Sequence, residues 1–151
     1  MDKHNKLKVP ILDPEFIEKL LPHRKPMVMV DALVFFSDKK AISKLSISPD
    51  NIFVINGVFS ETGLIENMAQ TAALYIGYKQ FLNNKVAKDG FIGSIKSTQI
   101  ISLPKLNDTI STEINVIYEI GNMILVKINS TLNGITIGIS EMSTVLKDSN
   151  I

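Results

Sequence analysis

The sequence predicts an α+β domain in which one long buried helix lies against an antiparallel sheet. Two observations carry this. Residues 64–81 hold Leu64, Ile65, Met68, Ala69, Ala72, Ala73 and Ile76, an apolar surface too broad for a helix that faces solvent. The last third then changes period, with β-prone segments at 91–101, 109–118, 123–132 and 135–146 separated only by short turn-like stretches. Strands grouped around a single helix argue for α+β rather than alternating α/β.

Taken in order, Asp13-Pro14-Glu15 reads as a helix start, with Asp13 as N-cap, Pro14 at the first helical position and Glu15 in the first turn. Phe16, Ile17, Leu20 and Leu21 form its apolar stripe, and Pro22 stops it. Residues 27–36 are β-prone, Ser37-Asp38-Lys39-Lys40 is a polar turn, and 41–47 is the returning strand, broken by Pro49-Asp50-Asn51. Ser60 or Thr62 caps the long helix, Glu61 suits its first turn, and Asn83-Asn84-Lys85 ends it. Ile110, Thr112, Ile114, Val116 and Tyr118 alternate with Ser111, Glu113, Asn115 and Glu119, as a half-buried antiparallel strand requires. Gly121-Asn122 marks a turn, and Asn133-Gly134 predicts a type I′ hairpin, whose two central residues both need positive φ. A single sheet around one helix leaves edge strands open, and edge-to-edge pairing in a dimer is a natural remedy.

Composition narrows the function classes. The 151 residues suit one domain, read here as 11–147 between a polar N-terminal tail, 1–10, and a C-terminal tail, 148–151. A net charge of +1 gives no basis for a nucleic-acid partner or strong membrane attraction. No apolar run approaches the length of a membrane span, and the N-terminus lacks the apolar core of a secretory signal. The expected location is the cytoplasm. With no cysteine, disulfides, thiolate metal sites and a cysteine nucleophile are excluded. No phosphate-binding loop, dinucleotide fingerprint, His/carboxylate metal cluster or Gly-x-Ser-x-Gly elbow is present.

Three stretches resemble the β-hydroxyacyl-ACP dehydratases. Leu21-Pro22-His23-Arg24-Lys25-Pro26-Met27-Val28-Met29-Val30-Asp31 resembles their Leu-Pro-His-Arg opening. Leu64-Ile65-Glu66-Asn67-Met68-Ala69-Gln70-Thr71-Ala72-Ala73 resembles their active-site helix, and Leu132-Asn133-Gly134 with the strand ending Val145-Leu146 resembles their last hairpin. The resemblance runs over nearly the whole chain. It implies a hotdog fold, a long central helix wrapped by a curved antiparallel sheet. It also implies a homodimer, sometimes a trimer of dimers, with sites at the dimer interface. The implied substrate is a β-hydroxyacyl chain on the phosphopantetheine arm of an acyl carrier protein, and no cofactor or metal is needed. The implied catalytic pair is a helix carboxylate, which carries over to Glu66, and a histidine from the partner. That histidine belongs to a Gly-His-Phe-Pro-Gly motif. Here the nearest match is Asn56-Gly57-Val58-Phe59-Ser60, with Val58 in its place and a shorter loop before Glu66. In this the chain is similar to the divergent dehydratase-like proteins of aryl-polyene and flexirubin-type pigment pathways.

Dehydration of a β-hydroxyacyl thioester needs a base for the proton next to the carbonyl, an acid for the departing hydroxyl, and donors for the thioester oxygen. Glu66 can be the acid, or simply an N-terminal-turn glutamate that complements the helix dipole. Gln70, one turn on, can orient Glu66, bond a substrate hydroxyl, or satisfy a backbone group as a buried amide. Of the two histidines, His4 sits in the tail, and His23 is either the base or a supporting loop residue. Arg24 can bind a carrier phosphate or pair with an acidic neighbour. Asn56 can hold a water or a thioester oxygen but cannot act as a base. Gly57 and Gly93 can present backbone N–H groups to substrate, beside Val58 and Phe59, or serve turn and bulge geometry. Small Ala73 and Gly77 leave room for an acyl chain or for another backbone, and Tyr75 and Tyr78 read as core. Three functions follow: a divergent dehydratase, a hotdog acyl-thioesterase, or a non-catalytic hotdog subunit that binds acyl carrier protein or supports an active partner.

Overall fold

The computed structural model describes residues 4–85 and 90–147; residues 1–3 and the C-terminal tail at 148–151 lie outside the described residues. Helix α1 (Pro14–Leu20) starts where Asp13 accepts from the Glu15 N–H and ends before Pro22. Strands β1 (Ala32–Phe36) and β2 (Lys40–Ser46) form the first hairpin. A miniature hairpin, β3 (Val54–Ile55) and β4 (Val58–Phe59), precedes helix α2 (Glu61–Leu82). Ser60 caps α2 by accepting from the Gly63 N–H at 3.2 Å. Strands β5 (Gly90–Ile100), β6 (Thr109–Ile120), β7 (Met123–Leu132) and β8 (Ile135–Leu146) complete the chain.

The six long strands form one antiparallel sheet in the order β1-β2-β6-β7-β8-β5. It wraps α2, which packs against β2 and β5 to β8. The β7–β8 turn is the expected one: Asn133 and Gly134 have φ of 52° and 79°. Apolar side chains fill the space between helix and sheet, crossed by one polar seam. Thr112 Oγ1 donates to Asn67 Oδ1 at 2.7 Å and lies 2.7 Å from Ser130 Oγ. Thr71 Oγ1 donates to the Asn67 carbonyl and lies 2.7 Å from Ser43 Oγ. A fully satisfied buried network fixes where the helix sits on the sheet, because sliding it would strand several polar groups together.

Three expectations change. Of residues 27–36, only Ala32–Phe36 is strand. Residues 27–29 run past α2 instead, and side chains of that helix take the place of a neighbouring strand: Asn67 Nδ2 donates to the Met29 carbonyl, and Gln70 bonds Met27 and Met29. The β3–β4 hairpin was not anticipated. Within the stretch read as tail, Lys6 N–H donates to Phe36 O, and Ile11, where the domain was expected to begin, exchanges both backbone bonds with Leu33. That covers the β1 edge. Strand β5 is the other edge, and most of its residues are exposed, Ile95 by 49%.

Candidate active site

Glu66 lies in the second turn of α2, and Gln70 follows it on the same face. The segment that carries His23 runs past this face between α1 and β1. His23 Nε2 comes to 3.5 Å from Glu66 Oε1, with both side chains about a third exposed. Gln70 is completely buried. Its Nε2 donates to Glu66 Oε1 at 2.8 Å and to the Met27 carbonyl at 2.7 Å, while its Oε1 accepts from the Met29 N–H at 2.6 Å. One amide thus orients the carboxylate and ties the histidine's loop to the helix. Of the three roles read from sequence as alternatives, Gln70 makes the bonds of two at once, the one to Glu66 and those to backbone.

Arg24 pairs with no carboxylate among the described residues. Its Nη1 donates to the carbonyls of Glu18, Leu21 and His23 at 2.7, 2.9 and 2.7 Å, closing the C-terminus of α1 and fixing the backbone beside His23.

Glu66 and His23 open onto a cavity of about 150 Å³ that runs beside α2 past Ala69 and Ala73 to Ile76. Leu20, Ile92, Thr144 and Leu146 close it from α1 and the sheet. Sequence reasoning missed these four, because strand register brings Ile92, Thr144 and Leu146 to the helix and the docking of α1 brings Leu20, and neither is written in local pattern. Thr144 adds a buried hydroxyl that finds no partner among the described residues, and His23 Nδ1 is in the same position. Ala73 leaves the space expected of it. Gly77 also lines the cavity, but a Cβ there would stand 1.9 Å from the Leu20 carbonyl oxygen, so its smallness admits the end of α1.

The remaining candidates stand apart from this cavity. Asn56 and Gly57, with φ of 52° and 77°, are the turn of the β3–β4 hairpin. Gly57 O accepts from Leu106 N–H, Val58 bridges Lys105, and Phe59 is fully buried in the core. These bonds hold the hairpin against residues 104–106, which is why the single chain does not bring it to Glu66. Gly93 lies at a β5 bulge, where a Cβ would press on Val145 Cγ2 at 2.9 Å. Tyr75 and Tyr78 are core, stacked on and edged against Phe36. Among the described residues no helix is long and apolar enough to cross a membrane.

A long helix wrapped by a six-stranded antiparallel sheet, with a carboxylate near the helix start, is the hotdog architecture. The family model of the ApeP-like proteins, described as ApeP dehydratase, matches residues 15–125, and the chain belongs to that family. It is 27% identical over 112 residues to the 3-hydroxyacyl-[acyl-carrier-protein] dehydratase FabZ of Latilactobacillus sakei, covering 70% of this chain and 78% of that one. Among solved structures it resembles the dehydratase heterocomplex ApeI:P from Xenorhabdus doucetiae, with a TM-score of 0.83 at 16% identity over 88% of this chain and 91% of that one. A hypothetical thioesterase of Streptococcus pneumoniae solved with coenzyme A is more distant: TM-score 0.60 at 11% identity, over 76% and 84% of the two chains.

Proposed function

We propose that the protein is a divergent β-hydroxyacyl-[acyl-carrier-protein] dehydratase that works with Glu66 and His23 of one chain. The observation that carries this is the Glu66–His23 pair at the mouth of an otherwise mainly apolar cavity. Membership of a dehydratase family and similarity to an acyl-carrier-protein dehydratase support the substrate class. The His23 imidazole takes the proton next to the thioester carbonyl, and the electron pair of that C–H bond forms the C=C bond. The C–O bond to the hydroxyl breaks as the Glu66 carboxyl protonates it, and water leaves. The imidazolium and carboxylate left behind face each other at 3.5 Å, and one proton passed between them through a bridging water restores both. Gln70 holds the carboxyl in position throughout. No metal or redox group enters this chemistry.

The uncovered β5 edge, with Ile95 and Ile101 exposed, supports pairing with a second hotdog subunit. A second copy of this chain or a related partner fits it, and the similarity to a heterocomplex subunit favours testing both. A subunit in the second arrangement could contribute Glu66 to a site completed by its partner's histidine, and the absence of the family histidine at Val58 supports that reading.

The test is incubation with β-hydroxyacyl-carrier-protein substrates, following water loss and thiol release by mass spectrometry. Wild type is expected to release water, Glu66→Gln to lose at least about a hundredfold, the scale of general acid–base catalysis, and His23→Gln to fall comparably. Full activity in His23→Gln would remove His23 from the chemistry. Thiol release without water loss would identify a thioesterase, and turnover only with a co-expressed partner would identify the heteromeric subunit.

A further inference from the structure

We infer that Ile76 and Leu146 form a wall that sets the longest acyl chain this site accepts; the inference takes the acyl-binding reading of the Glu66 cavity as its starting point. On α2, residues 66, 69, 73, 76 and 80 fall at helical spacing on one face, and the C-cap Asn83 follows them. The first four line the cavity already described. Ile76, Gln80 and Asn83 line a second cavity of about 590 Å³ farther along the same face. Ile76 and Leu146 line both. From Glu66 to Ile76 is ten residues, or about 15 Å of helix axis, and this is the run available to a chain before the wall.

The two chambers differ in chemistry. The first is walled mainly by alanine, leucine and isoleucine side chains. The second holds Lys79, Gln80, Asn83, Glu119 and Asn122, and there the Lys79 ammonium bonds both carboxylate oxygens of Glu119 at 2.9 and 3.0 Å. An apolar chain gains by each methylene placed in the first chamber, and beyond the wall it would displace water from charged and amide groups without replacing their hydrogen bonds. The wall itself is held. Ile76 is buried in the core, and the Leu146 backbone exchanges bonds with Asn122, whose carbonyl accepts from the Leu146 N–H at 2.9 Å and whose Nδ2 donates to the Leu146 carbonyl at 2.9 Å.

Two series of increasing chain length test this: β-hydroxyacyl-pantetheine thioesters for turnover, and unreactive saturated acyl-pantetheine amides for binding by calorimetry. In wild type each added pair of carbons raises kcat/KM or affinity on the order of tenfold up to a break, after which it falls. Leu146→Ala is expected to move the break to longer chains by at least two carbons, and Ala73→Leu to move it to shorter ones. Ile76→Val is the milder second probe of the wall, and each variant is read as its own long-to-short ratio. A profile without a break, a break unmoved in Leu146→Ala and Ala73→Leu, or no binding of any amide overturns the inference. Amide binding with a movable break but no turnover would sustain the wall while refuting the dehydratase reading, so the two fail separately.

Discussion

Replacing Gln70 with alanine should cost both stability and activity, and the structure sets the sizes. The substitution strands the Met29 N–H and the Met27 carbonyl, and frees Glu66 from its 2.8 Å donor. A buried polar group without a partner costs roughly 1–3 kcal/mol. Met29 is almost wholly buried, so its N–H takes the full penalty. Met27 is 38% exposed, and its carbonyl can turn to water for less. Together with the void left by a completely buried side chain, the loss comes to about 2–4 kcal/mol. At a urea slope of about 2 kcal/mol/M, that moves the denaturation midpoint by about 1–2 M. Gln70→Glu separates the two roles. It keeps an acceptor for the Met29 N–H but sets a second carboxylate against Glu66, so turnover should fall further than stability. The assay is urea unfolding beside dehydration kinetics on the same preparations. A Gln70→Ala midpoint within about 0.3 M of wild type would show that residues 27–29 do not depend on the amide, and the argument for an anchored His23 loop would go with it.

Glycines at positions 77 and 134 should differ in cost for different reasons. Gly77→Ala puts a Cβ 1.9 Å from backbone oxygen, which no side-chain motion relieves, so α1 must move and the loss is at least about 3 kcal/mol. Gly134→Ala meets nothing within 4 Å but sits at φ +79°, and should cost about 1–2 kcal/mol. Thermal unfolding ranks them, and the reverse order would refute the packing argument. Tyr75→Phe should flatten the alkaline loss of stability. Burial, and then the Glu119 carboxylate, hold the Tyr75 proton well above the ordinary 10.0. As pH rises past that value the unfolded chain releases the proton while the folded one keeps it, so wild type loses stability and the phenylalanine variant loses less. Parallel curves for the two proteins above pH 10.0 would count against this.

What was legible in the sequence follows the range of the forces involved. Asp13-Pro14, Ser60 and Asn133-Gly134 act on their own backbone within a few residues; the first and last appear where the sequence put them, and of the two caps it offered for α2, Ser60 and Thr62, Ser60 is the one used. Residues 27–29 failed as strand because the Met27 carbonyl and both Met29 backbone groups pair with side chains 38 to 43 residues away on α2, which no local period encodes. The β3–β4 hairpin was legible and overlooked: Asn56-Gly57 carries the same type I′ signal as Asn133-Gly134, but its strands are only two residues each. In the site, Glu66 and Gln70 share a face by helical spacing alone. The approach of His23 depends on how α1 docks, and Thr144 and Leu146 reach the cavity only through strand register.

The position of His23 rests on more than the tie at Met27, and Arg24 is where this can be tested. Residues 22–29 leave α1, turn past Glu66 and reach β1, so a histidine in the middle keeps its aim only if both ends are held. Gln70 holds the far end. Arg24 holds the near end, because a single guanidinium nitrogen gathers the carbonyls of Glu18, Leu21 and His23 itself. Lysine keeps the charge, but its shorter side chain does not carry a nitrogen to the position of Nη1 in a rigid plane. Arg24 is exposed, so Arg24→Lys should cost only about 1 kcal/mol of stability. Small displacements of a general base weigh more heavily on rate than on folding, so kcat should fall on the order of tenfold or more, with little change in KM. Arg24 touches neither Glu66 nor the imidazole, so the shape of the pH–rate profile should survive. A substitution that instead raised KM at constant kcat would place Arg24 in carrier binding, and one that altered neither would leave His23 aimed by Gln70 alone.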